Sequence, residues 1–88
     1  MSHDDTVTAT IKLTSEDAPI VVTYPDVFEF VANVIVNVRL AEMALRRSIT
    51  PTRPDTFGNH LTWRFVYADD GELFMTVEAD RLVDRTLH

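Results

Sequence analysis

The stretch FEFVANVIVNVRLAEMALRRS, Phe28 to Ser48, constrains this chain more than any other part, because wound as a helix it has almost no polar side. Its ends carry helix punctuation. Asp26 can accept from the free amides of a first turn, Glu29 stands at the capping-box position, and Pro25 lies just outside. At the far end TPTRPD stops a helix, since proline has no amide hydrogen and clashes with the preceding turn. The centre, Val34 to Val38, is rich in β-branched residues that lose rotamer freedom in a helix, so a strand is the rival reading there. RLAEMALRR has strong helix propensity and sets arginines near the negative end of the dipole. The punctuation brackets a single element, so the sequence predicts one helix from Asp26 to about Ser48.

Advancing about 100° per residue sorts its apolar side chains into two stripes. Val27, Val31, Val34, Val38, Ala41 and Leu45 gather on one line, as the core-facing side should. Ala32, Val36, Leu40 and Met43 form a second stripe opposite. One sheet cannot cover both. The second stripe is therefore expected to meet a second copy of the chain, another protein, or a cover made by the C-terminal tail or the loop Thr50–His60. Arg39 and Arg47 would rim such a contact, with Arg46, Glu29 and Glu42 nearby.

The flanking segments read as strands. TVTATIKLT alternates strictly, with Val7, Ala9, Ile11 and Leu13 on one side and threonines and Lys12 on the other. SEDAP is a turn, and IVVTY, with Ile20 to Val22 consecutive, returns as an antiparallel partner. After the helix, LTWRFVY places Trp63, Phe65 and Tyr67 on one face. ADDGE turns at Gly71 in a positive-φ position, and LFMTVEA returns with Leu73, Met75, Val77 and Ala79 inward. ITPTRPDTFGNH, with prolines and Gly58, reads as irregular. The predicted class is α+β: two β-hairpins flank one long helix, β-β-α-β-β, in a four-stranded sheet with the helix on one face. The 88 residues make a single domain, 1–88, with a flexible tail at 1–5 and a short terminal helix or frayed tail at 81–88.

Composition narrows the function classes. The chain has no cysteine, which removes disulfides and thiolate metal sites and fits a reducing compartment. Its first residues carry no signal-peptide pattern, and charged or amide residues break every long apolar run. A cytoplasmic location without membrane contact is expected. The net charge of −6 disfavours direct binding to nucleic acid.

Chemistry-bearing residues are sparse. His60 is the only histidine away from the termini, beside Asp55, Phe57 and Trp63, and could serve as a base on a partner or ligand loop formed with Phe57 and Trp63. No second histidine stands at metal-ligand spacing. DDGE lacks the rest of a calcium loop and reads as a hairpin turn. Gly58 and Gly71 are the only glycines, so no glycine-built phosphate cradle exists. Trp63, Phe65 and Tyr67 lack the basic surround of a base-stacking platform and read as core.

The sequence therefore predicts a non-enzymatic interaction domain with no catalytic residue, metal or cofactor. It would act as a homodimer or as a subunit bound to another protein. Two other readings stand beside it: an acidic inhibitor that imitates nucleic acid in a basic cleft, and a small enzyme or ligand-binding domain using His60 near Trp63.

Overall fold

The strand alternation and the helix punctuation both materialise in the computed structural model, which describes residues 6–81. The order is β1 (Val7–Leu13), β2 (Ile20–Tyr24), α1 (Val27–Leu45), β3 (Ile49–Pro51), β4 (Asp55–Phe57), β5 (His60–Tyr67) and β6 (Leu73–Arg81). The class is α+β, with one helix and an antiparallel sheet among the described residues. The sheet has six strands rather than four, in the order β2-β1-β6-β5-β3, with β4 also paired to β5. The two expected hairpins, β1–β2 and β5–β6, are joined side by side through β1 and β6.

The additional strands come from the segment read as irregular. β3 and β4 share one edge of β5, the first opposite Phe65–Tyr67 and the second opposite His60–Thr62. Between them Thr52 donates both its amide and its hydroxyl to the Arg64 carbonyl, so the chain crosses the gap without leaving the edge. Prolines suit such a place, because an edge strand can spare amide donors on its outer side. Gly58 and Asn59 form a tight turn from β4 into β5, with Gly58 at φ 62 as the first residue of a type II′ hairpin requires.

Alternation sets the faces. Val22, Ala9, Ala79 and Leu61 form one cross-strand row, and Ile20, Ile11, Val77 and Trp63 form the next. This face and α1 enclose the core, which includes Val7, Ala9, Phe65, Met75, Val77 and Ala79 from the strands and Phe30, Val34 and Val38 from the helix. The opposite face carries Thr8, Thr10, Thr62, Thr76, Glu78, Asp80, His60 and Arg64. Gly71 takes φ 75 in the β5–β6 turn, as its position predicts.

Asp26 caps α1, its carboxylate accepting from the Glu29 amide at 2.8 Å. The helix ends before Ser48, because Arg46 turns left-handed and the chain enters β3 at Ile49. Its buried line runs through Phe30, Val34 and Val38, with Ala41 packed alongside. Val27, Val31 and Leu45, expected on that line, are only partly covered, at 37%, 36% and 46% exposed. The helix is turned toward Phe30, whose ring meets Tyr24 at 5.5 Å between centroids. An aromatic ring buries more area than valine, so the packing follows Phe30. The tail at 1–5 and, apart from Arg81 ending β6, the terminal segment 81–88 lie outside the described residues.

Candidate interaction surface

α1 lies on one side of a single sheet, so its far side has no layer over it among the described residues. Val36 is 54% exposed, Leu40 57% and Met43 74%, and Ala32 is exposed with them. Phe28, at 85%, extends this line by one turn, and Ile35 widens it. Phe28 was not among the residues singled out from sequence, although Phe28, Ala32, Val36 and Leu40 follow one another at i, i+4 spacing. The outcome is an apolar strip along nearly the whole helix. Arg39 shares this side of the helix, four positions from Ile35 and from Met43, and lies 3.9 Å from Glu42.

Glu42 also reaches back into the fold and accepts from the Ile49 amide at 2.8 Å. Arg47 does not project freely at the rim. Its guanidinium lies over the Tyr67 ring at 3.6 Å, 2.7 Å from Asp69 and 3.2 Å from Asp70. The hydrogen bond from Arg47 holds the Asp69 carboxyl below its ordinary range, and the same bond raises Arg47. The DD pair of the β5–β6 turn is thus a docking point for Arg47, and Asp70 also accepts from the Glu72 amide at 2.9 Å. Asp55 faces Arg64 at 3.5 Å in the same manner. Four acidic residues, Glu42, Asp55, Asp69 and Asp70, thus lie beside arginines.

The residues Phe57, His60 and Trp63 are divided by the sheet. Phe57 pairs with His60 across the tight β4–β5 turn and is 87% exposed. Trp63 pairs with Val77 on the core side, its ring tilted against Phe65 at 4.8 Å, and its indole nitrogen is buried without a hydrogen-bond partner. His60 Nδ1 sits 2.7 Å from Asp80 and Nε2 3.9 Å from Glu78. Beside this corner a shallow pocket of about 250 Å³ is lined by His60 together with Val27, Phe30, Thr56 and Leu61. Neither Trp63 nor Asp55 lines it. Among the described residues no group of histidine, aspartate and glutamate side chains is arranged to hold a metal ion.

Comparison of the chain with protein-family models, with curated proteins and with solved structures gives no match. No helix among the described residues is long and apolar enough to cross a membrane.

Proposed function

We propose that this chain is a non-enzymatic interaction domain that works as a homodimer through the outer face of α1. The observation that carries the reading is the apolar strip Phe28, Ala32, Val36, Leu40 and Met43, exposed along a helix whose other side already covers the sheet. Its side chains, with Val31 and Ile35, make a continuous patch where an ordinary surface has scattered single apolar residues. Exposed apolar patches of that kind mark contact sites. Arg39 stands within the patch, four positions from both Ile35 and Met43 and 3.9 Å from Glu42, so each copy brings both signs to a two-fold contact of a surface with itself. An antiparallel arrangement sets the small Ala32 against the long Met43 of the second copy and places Val36 and Leu40 near the axis.

Light scattering over a concentration series tests this. Wild type is expected to double in mass with rising concentration. Val36→Asp is expected to remain monomeric and folded, because association would desolvate a carboxylate from each copy close together. A monomeric mass for wild type at high micromolar concentration overturns the homodimer.

The His60 corner supports a second reading, a site for a small ligand or an enzyme, because a pocket lies between α1 and the sheet at this corner while the imidazole meets Asp80 on the other face. The pocket walls are largely apolar, with Thr56, Gly58, Asn59 and His60 at the β4–β5 turn completing the lining. A fragment screen followed by amide shifts at His60, Leu61 and Ala79 decides it. Absence of any saturable shift there removes the reading.

A further inference from the structure

β2 ends the sheet on one side. Among the described residues no strand lies beyond it, so alternate backbone groups of Ile20–Tyr24 have no ladder partner. Edge strands are usually blunted by a proline, a charge or a bulge, and IVVTY contains no proline or charged residue. Pro19 and Pro25 stand immediately outside it and delimit a five-residue open edge. Val21 is 64% exposed and Ile20 half exposed.

Next to this edge a groove of about 340 Å³ runs between the sheet and α1. Ile11, Ile20 and Val22 form its floor, and Asn33, Asn37 and Ala41 line its helix side. Tyr24 is the only ionisable residue in its lining among the described residues, and burial raises that phenol further from ionisation. The Tyr24 hydroxyl donates to Asn33 Oδ1 at 2.8 Å, and Asn37 Nδ2 donates to the same oxygen at 3.1 Å. An apolar floor beside an open strand edge suits an extended chain, whose alternate side chains enter the groove while its backbone completes the ladder.

Charge selects among extended chains. Glu16 and Asp17 precede the strand along the chain and Asp26 follows it, so both ends of the open edge are acidic. Lys12 belongs to the other face, in register with Thr76. A second copy paired edge to edge would set its own acidic strand ends against these, which opposes β2–β2 pairing. We propose that the β2–α1 groove binds an extended segment of a different protein, apolar at alternate positions and basic at its ends, as an added strand of the sheet. This site lies on a different side of α1 from the strip assigned to dimerisation and does not depend on it.

The probes are a short fluorescent peptide of alternating valine and threonine with a lysine pair at each end, the same peptide with glutamates in place of the lysines, and a lysine-flanked version interrupted by proline. Anisotropy measures affinity, and amide shifts of the labelled protein locate the contact. Saturable binding of the first peptide is expected, shifting Ile20–Tyr24, Asn33 and Asn37, and weakening by about tenfold or more with either control peptide. Asn37→Trp, which fills the groove from an exposed helix position, is expected to weaken binding to a similar degree with the circular dichroism spectrum retained. The double reversal Glu16→Lys with Asp17→Lys should shift preference toward the glutamate-flanked peptide. The Val36→Asp protein should bind as wild type does, which separates this site from the dimer face. No saturable binding, equal affinity for the proline-interrupted peptide, shifts confined to the α1 strip, or self-association of Val36→Asp through β2 would each overturn the proposal.

Discussion

Arg46 ends α1 at φ 57 and ψ 41, the left-handed conformation in which a β-carbon crowds the following carbonyl oxygen. Its amide still donates to the Glu42 carbonyl at 2.8 Å, so the cap is made and only the side chain is out of place. Arg46→Gly should therefore stabilise the fold by about 0.5–1 kcal/mol, read as a higher denaturant midpoint with an unchanged slope. Next to it, Arg47 makes an acid-sensitive contact. Asp69 has a folded pKa below its unfolded one, so its contribution is present above the unfolded value and is lost as pH falls through the folded value. Thermal unfolding of wild type and Asp69→Asn should differ at neutral pH and converge as the solution is acidified below the ordinary carboxylate range.

For the helix, the decisive contrast is between two phenylalanines separated by one residue. Phe30 is 3% exposed against Tyr24, whereas Phe28 is among the most exposed large apolar side chains of the described residues. Phe30→Ala should cost about 3–5 kcal/mol in chemical denaturation, as removal of a buried ring does. Phe28→Ala should change stability by less than about 0.5 kcal/mol in dilute solution, while weakening any association through α1. The sheet shows the same division of labour. Threonines at Thr8, Thr10, Thr62 and Thr76 satisfy β propensity on the open face and leave the apolar rows to the side under α1.

At the scale of the whole molecule, one helix covers one face of a six-stranded sheet, and neither the far side of that helix nor the β2 edge is covered among the described residues. Both are surfaces that association would complete. Their chemistry differs, since the α1 strip is purely side chain while the β2 edge also offers backbone hydrogen bonds. Dimerisation should therefore persist in added salt, because apolar burial is little affected by screening, whereas binding of the lysine-flanked peptide should weaken as screening shortens the reach of the acidic ends. Comparing sedimentation and anisotropy over the same salt series checks both expectations together.

Period and punctuation alone determined the helix, its Asp26 cap, the alternating β1, β5 and β6, the Gly71 turn and the presence of two apolar stripes on α1. These are local properties, set by which residues lie two, three or four positions apart. The Gly58–Asn59 turn was also legible, as a two-residue glycine-first hairpin signal, but the prolines around it drew the reading toward loop. Tertiary structure decided the rest. The rotation of α1 followed Phe30 because the Tyr24 ring lies beneath it, and no helical projection contains Tyr24. The sheet order placed β1 beside β6 and left β2 open, because pairing joins residues about seventy positions apart, such as Val7 with Arg81. Arg47 met Asp69, and Trp63 parted from His60, for the same reason: contact across strands depends on register, which the neighbours of a residue along the chain do not specify.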